Sequence, residues 1–410
     1  RFFMGAQTFW AQHRSVTASS PLSFYEDLRQ MRESGLRWAR SFLPCRNEKE
    51  LRDSDAVVQL AQKFGIVLYH TPNLFMTRDE KVMSENVERM RQIVERYRNV
   101  PGFAVDLCNE PTLEGATSPE SLEIQRRWAE RLQASVRAVR KTVPVSIGWS
   151  QGWSGGRRTR DPLLVSLGCD FTDRHYYNKL TDFVAETKDL DLRALGKPFI
   201  IGECGALCHP TIRAVDLNGK GDTPEYFADR LRYEVAHSFG LGAALLSVWH
   251  WRNPMEGIFP CGINHATRVP RTAGVVFGEM ARALSRFELV SNPPDVVVSV
   301  DDATRMRDGD GRQDLIRSLK RLENELMWWG ANWSTLPSSC TNAVGSKIVC
   351  VMRPEEFGEK TIRDEVGRRL KGAGARVTRL PSDPETLETF RVPGKGSTAW
   401  VFWNGGNAAV

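Results

Sequence analysis

Eight short apolar runs, separated by amphipathic helical patterns, constrain the fold of this chain more than any other feature. They are FFMGAQ (2–7), LRWARSF (36–42), IVLYHT (66–71), FAVDLCN (103–109), VPVSIGW (143–149), FTDRHYY (171–177), PFIIGEC (198–204) and ALLSVWHW (244–251). Near-continuous apolar strands alternating with helices are the pattern of a parallel sheet whose two faces are both covered. The helices carry their own signals. Ser23 and Glu26 have capping-box spacing ahead of Phe24, Leu28 and Met31, and Gly35 follows as a stop. Ser118-Pro119 opens a helix running to about Val139, and Thr223-Pro224 opens one ending at Gly240. Eight strand–helix units fit a (β/α)8 TIM barrel over residues 1–290, close to the usual ~250 residues. An open doubly wound sheet is the alternative, but no G-x-G-x-x-G follows the first strand.

The character changes at SNPPD, near residue 290. Beyond it come VVVSV (296–300), a helical pattern over about 312–329, IVCVM (348–352), a second helical pattern over about 360–371, RVTRL (376–380) and AWVFW (399–403). This predicts a smaller α/β domain over 291–410, with a C-terminus that reads as truncated just after its last strand. All seven histidines lie at or before His265, so the ionisable chemistry belongs to the barrel.

Charge and composition exclude several classes. The net charge of +6 is spread over many arginines without a long basic run, which gives a nucleic-acid role little support. No apolar run reaches the ~18 residues of a membrane span. The opening RFFMGAQTFW reads as a strand and not as a leader, as in a chain whose leader has been removed. With a removed leader the chain would be secreted or periplasmic, and otherwise cytoplasmic. The eight cysteines show no CxxC pair or metal-ligand spacing. A mostly reduced chain is expected, the alternative being one local disulfide such as Cys208 with Cys261. Asn332-Trp333-Ser334 matches a glycosylation sequon.

In a barrel the active site lies at the C-terminal ends of the strands. Those ends deliver Arg40 (second strand), His70 (third), Asn109-Glu110 (fourth), Trp149 with Trp153 following (fifth), His175 and Tyr177 (sixth), Glu203 (seventh), and Trp249 and Trp251 (eighth). Carboxylates that do chemistry, aromatic faces that stack on sugar rings, and polar groups that hold hydroxyls are what a carbohydrate cleft needs. Glycoside hydrolysis uses two carboxylates flanking the scissile bond. Strands four and seven face each other across a barrel, so Glu110 and Glu203 can converge, and Pro111 ends the fourth strand where Glu110 must project.

Taken in order, Arg40, His70, Asn109-Glu110-Pro111, His175-Tyr176-Tyr177, Glu203 and Trp249 or Trp251 resemble the pattern of clan A glycoside hydrolases. These are the retaining β-glycosidases on (β/α)8 barrels, and the similarity is greatest to family 5, the cellulase-like group. It covers residues 1 to about 285. The resemblance implies that Glu110 is the acid/base and Glu203 the nucleophile. It also implies that Asn109 holds the 2-hydroxyl of the −1 sugar and His70 contacts that sugar. Tyr177 and Arg40 would keep Glu203 ionised, His175 would lie near Glu110, and a strand-eight tryptophan would floor the −1 subsite. Trp251-Arg252 with Gly257, and the second α/β domain, are similar instead to the β-galactosidases of family 42. In that family a flavodoxin-like domain follows the barrel and supports oligomerisation.

The resulting expectation is a retaining β-glycosidase without cofactor or metal, acting on oligosaccharide, polysaccharide or aryl glycoside. It would form a homo-oligomer, a trimer or dimer, through the second domain and its tryptophans Trp328, Trp329 and Trp333. Two other classes remain open: a catalytically inactive carbohydrate-binding barrel, and a metal-dependent barrel hydrolase using His70 and His175. Several residues also have bland readings. Trp149 and Trp153 read equally as core, Glu114 and Glu256 as solvated loop residues, and Cys204 as packing.

Overall fold

The computed structural model describes residues 2–8, 21–43, 45, 47–72, 74–111, 119–150, 162–177, 180–206, 224–253, 261–286, 294, 296–300, 316, 317, 319, 320, 323, 332–337, 339, 340, 348–352, 388–393 and 398–403. Eight parallel strands form a closed barrel in sequence order: β1 (Phe3–Thr8), β2 (Trp38–Ser41), β3 (Val67–His70), β4 (Phe103–Asn109), β5 (Val145–Trp149), β6 (Thr172–Tyr176), β7 (Phe199–Cys204) and β8 (Leu245–Val248). The ring closes where β1 pairs with β8, Phe3 opposite Leu245. Between the strands lie α1 (Pro21–Glu33), α2 (Glu48–Lys63), α3 (Glu80–Arg96), α4 (Pro119–Val139), α5 (Pro162–Ser166), α6 (Phe183–Lys188), α7 (Pro224–Gly240) and α8 (Thr272–Leu284). The expected TIM barrel is therefore the observed one.

Local chemistry explains where the helices begin. Asn47 accepts from the Glu50 N–H at 3.0 Å and starts α2. Asp79 accepts from the N–H groups of Lys81 and Val82 and starts α3. Each satisfies donors that the first turn leaves free. The expected cap at Ser23 is not the start of α1. The helix begins at Pro21, whose fixed φ suits the first turn, and Glu26 instead holds Arg29 at 2.8 Å.

Two layers of apolar side chains surround the sheet. Outward-facing strand residues such as Val105, Ile147 and Ile201 pack with helix residues such as Trp128, Leu132 and Leu231. Inside, Tyr69, Ala104, Phe171, Ile200 and Leu245 plug the lower barrel, with Phe3, Trp38 and Ala244 beside them. This plug is the floor on which the candidate site stands.

After the barrel, β9 (Val296–Val300), β10 (Trp333–Pro337) and β11 (Ile348–Met352) form a parallel sheet with β9 in the middle. An antiparallel pair, β12 (Glu388–Pro393) and β13 (Thr398–Trp403), follows. β9, β11 and β13 match expected strands, whereas RVTRL and the second helical pattern lie outside the described residues. Of the first helical pattern, residues 316, 317, 319, 320 and 323 are described, and all are helical.

β10 is seated on the barrel. The buried Lys188 ammonium donates to the Trp333 carbonyl and lies 5.4 Å from its ring. Arg193 donates to the Trp333 carbonyl and to Asn332 Oδ1, each at 3.2 Å. Trp333 is thus covered within the chain, while Trp328 and Trp329 lie outside the described residues. The sequon around Asn332 is not a surface loop, since Trp333 and Ser334 are both buried. Among the described residues six cysteines are free thiols, Cys261 included, and Cys208 lies outside them.

Candidate active site

Inward-pointing strand positions build the site upward from the apolar plug. The next layer is charged: Arg40 on β2, Asp106 on β4, and Asp173 and His175 on β6, all buried. Two glycines make room for it. A Cβ on Gly148 would lie 2.7 Å from His175 Nε2 and 3.1 Å from Arg40, and one on Gly202 would lie 2.0 Å from Asp173 Oδ1. Any side chain at either position would collide with the charged layer.

Strict alternation along a strand would not aim Asn109 or Glu203 inward. Register shifts occur on β4 between Asp106 and Asn109, and on β7 between Ile201 and Cys204. Such irregularities re-aim side chains. They bring Asn109 and Glu203 onto the same interior as Asp106. Glu110 follows with φ 46°, a left-handed conformation uncommon for a residue with a side chain, and its N–H donates to the Gly148 carbonyl at 2.8 Å. Strain of this kind persists only where its surroundings enforce it.

Arg40 is the hub. It donates to Glu203 Oε1, to Asp106 Oδ2 at 2.6 Å and to Asn109 Oδ1 at 2.8 Å, with Gln7 Oε1 at 3.5 Å. Tyr177 donates to Glu203 Oε2 at 2.8 Å. His175 Nδ1 lies 2.8 Å from Glu110 Oε1 and 3.4 Å from Glu203 Oε2. One oxygen of each glutamate and one His175 nitrogen all fall within 4.8 Å of one another. The Glu203 side chain is 4% exposed and that of Glu110 32%, so one carboxylate sits deep while the other meets solvent.

The electrostatics follow from burial and from these contacts. Burial pushes the Glu203 carboxyl up, against the pull of His175 and Arg40, and the negative charge of Glu110 adds to the rise. Glu110 resists burial and is held below the usual range, chiefly by its bond to His175. Burial pushes His175 down, but Glu203, Glu110 and Asp173 raise it above its ordinary value in spite of Arg40. Tyr177 is pushed well up by burial and by Glu203, so its hydroxyl remains a donor.

The other expected site residues stand outside this hydrogen-bonded cluster, Trp249 at its margin. His70 is buried and stacked on Phe103, 6.0 Å between centroids, because Tyr69 takes the inward position on β3. Burial pushes His70 down to about 4, so it is neutral. Trp149 is buried in the sheet–helix core, its indole donating to Ser166 Oγ at 2.7 Å. Trp251 is also core. Trp249 stands half-buried after β8, edge-on to Phe42 at 6.3 Å. Phe42 lies under the Arg40 guanidinium at 5.2 Å. Cys204 is buried, with its thiol pushed well up by burial and by Glu234 of α7. Trp153, Glu114 and Glu256 lie outside the described residues. The reading from sequence missed Gln7, Thr71, Asp106 and Asp173. Thr71 donates to Asp106 at 3.2 Å, and Tyr69 donates to Asp173 at 2.9 Å. The available signal was an acid two residues before a site residue inside an apolar strand, as in FTDRH.

Glu110, His175 and Glu203 have the residue types of a metal site, but the donor set fits one poorly. Both Glu203 oxygens already accept from Arg40 and Tyr177, and the guanidinium in the same shell repels a cation.

No protein-family description matches this chain, and no curated protein matches it. Solved structures do share its fold. A glutamate-to-alanine variant of a GH5_18 protein from Bifidobacterium longum, in complex with Manβ1-4GlcNAc, aligns with TM-score 0.64 and 16% identity, covering 94% of this chain and all of that one. An exo-β-1,4-mannosidase from an Opitutaceae bacterium aligns at 0.60 and 14%, covering 82% and 69%. A β-galactosidase from Halorubrum lacusprofundi aligns at 0.63 and 13%, covering all of this chain and 82% of that one. The chain therefore has the fold of clan A glycoside hydrolases.

Proposed function

We propose that this protein is a retaining β-glycosidase that works by double displacement, with Glu203 as nucleophile and Glu110 as acid/base. The observation that carries this is the pair of glutamates on facing strands with oxygens within 4.8 Å. Retaining enzymes hold their carboxyl groups about 5–5.5 Å apart, whereas an inverting pair needs about 6.5–9.5 Å to admit water. In the first half-reaction Glu203 attacks the anomeric carbon while Glu110 protonates the departing oxygen. In the second, Glu110 takes a proton from water, which attacks the same carbon and releases Glu203.

Protonation must match those roles. Taken singly, burial favours a neutral Glu203 and His175 favours an ionised Glu110. A neutral Glu203, however, would lose charge-assisted bonds from both Arg40 and Tyr177. We therefore assign the proton shared by the pair to Glu110, the more exposed member. Asn109 is the hydroxyl-binding residue and Trp249, the half-buried one of the two tryptophans that follow β8, the floor of the −1 subsite. Trp149, Trp251 and His70 support the sheet from its outer face. The named substrates of the fold relatives put β-mannosides first among candidates and β-galactosides second.

The second domain, residues 291–410, is read as a small α/β unit. Its sheet order, with the first strand between the second and third, is how a flavodoxin-like sheet begins. Assembly through it would give a sedimenting mass well above 46.3 kDa. Aryl β-mannosides, β-galactosides and β-glucosides test the enzyme reading. Hydrolysis of at least one, lost in Glu203→Ala, is expected. Binding without hydrolysis would instead favour the inactive carbohydrate-binding barrel.

A further inference from the structure

The charged layer beneath the glutamates holds more acid than the reaction uses. Around His175 stand Asp106 of β4 and Glu110 just after it, Asp173 of β6 and Glu203 of β7, against the guanidinium of Arg40 on β2. Tyr69 of β3 and Tyr177 also face this cluster, with Gln7, Asn109 and Thr71 held against its charged members. Glu110 and Glu203 change charge or partner during a catalytic cycle. Asp106 is already saturated by Arg40, Thr71 and the N–H groups of Gly148 and Cys108. Asp173 touches no reacting atom, yet it is fully buried, and its Oδ2 is 3.9 Å from His175 Nε2.

The imidazole has carboxylates on both sides. Nδ1 faces Glu110 at 2.8 Å and Glu203 at 3.4 Å, while Nε2 faces Asp173. A tautomer with its proton on Nδ1 would turn the Nε2 lone pair toward a carboxylate in the dry interior. Such an arrangement is costly, because an unmet polar pair has no water to relieve it. A proton on Nε2 removes the conflict, and Nδ1 can then either donate to an ionised Glu110 or accept from a protonated one. Among the described residues Nε2 has no hydrogen-bond partner, Asp173 at 3.9 Å being a charge contact only, and the Cβ-free positions at Gly148 and Gly202 border this contact.

We propose that Asp173 is a positioning residue that fixes the proton of His175 on Nε2, so that Nδ1 alone exchanges its hydrogen-bonding role with Glu110 between the two half-reactions. The inference rests on the acid/base role of Glu110. When Glu110 hands its proton to the departing oxygen, one proton from solvent reaches Nδ1 past the half-exposed Glu110, and Nδ1 then donates to the ionised carboxylate; when Glu110 takes the proton of the attacking water, Nδ1 returns its own to solvent, and Nε2 keeps its proton throughout. Tyr69 keeps Asp173 in place by donating to Oδ2.

The test is nitrogen-15 NMR of the whole chain labelled at histidine, with the His175 signals assigned by their absence in His175→Gln. Nε2 is expected to stay protonated across the pH range in which the protein is folded, with only Nδ1 titrating. This readout needs no substrate, so it can fail while the glycosidase reading stands, and the reverse. A wild-type spectrum with Nδ1 protonated and Nε2 bare would overturn the proposal even if Asp173→Asn does not fold. If that variant folds, mixed tautomers are expected, together with kcat/KM falling about tenfold or more on alkyl glycosides and much less on activated aryl glycosides. An unchanged tautomer in Asp173→Asn would also overturn the proposal.

Discussion

Replacing Arg40 by methionine tests the charged layer most severely. The apolar stem is retained and the guanidinium is lost. Arg40 is fully buried, and its loss strands two buried carboxylates, Asp106 at 0% and Glu203 at 4% side-chain exposure. Breaking a buried pair by removing one partner costs about 3–5 kcal/mol. The loss should not double. Asp106 keeps Thr71 and the N–H groups of Cys108 and Gly148, and Glu203 keeps Tyr177. The expected loss at pH 7 is therefore about 3–5 kcal/mol, read by urea unfolding. Its pH dependence has a definite sign. Burial already pushes the Glu203 carboxyl up, and losing Arg40 raises it further, so between about pH 4 and 7 the folded variant holds a proton there that the unfolded chain lacks. The deficit should shrink as pH falls from 7 toward 5. A loss under about 1 kcal/mol, or one equal at both pH values, would refute Arg40 as the charge that makes this interior tolerable.

Glu203→Ala should abolish turnover, and azide should restore it with a glycosyl azide of inverted configuration, because a small anion fills the space of the missing carboxylate. Glu110→Ala should keep substrates whose leaving groups need no proton and lose the others; reversed behaviours of the two variants would reverse the roles. His70 and His237 are both pushed by burial from 6.5 down to about 4. Their folded pKa values lie below the unfolded ones, so the stability they contribute is present above pH 6.5 and is lost as pH falls toward 4. The amount is about 3 kcal/mol for each. His70→Phe should flatten the fall in unfolding free energy between pH 7 and 4.5, and an unchanged slope would contradict a neutral buried His70.

The barrel was legible in the sequence because β-strands buried on both faces must be apolar nearly throughout, as IVLYHT and PFIIGEC are. The glutamates stood out because NEP and GEC end such runs abruptly. Side-chain direction was less legible. His70 looks like a site residue by its place in order, but a strand has two faces, and Tyr69 holds the inner one. Trp149 follows the same rule one strand-pair away, with Gly148 inward. The register shifts that re-aim Asn109 and Glu203 depend on neighbouring strands and leave no local signature. Asp106 and Asp173 were hidden by their setting, since an acid inside an apolar strand reads as an exception until the opposing arginine is known. β10 was missed because WSTLP is short and polar and contains proline, and its burial comes from Lys188 and Arg193, distant in the chain.

The most direct measurement of the central claim is proton NMR of the first-formed sugar during hydrolysis of an aryl β-glycoside, before mutarotation blurs the signal. With Glu110 and Glu203 as close as they are here, double displacement predicts that the β-anomer appears first. First appearance of the α-anomer would mean a single displacement by water, and would contradict the assignment of Glu203 as nucleophile.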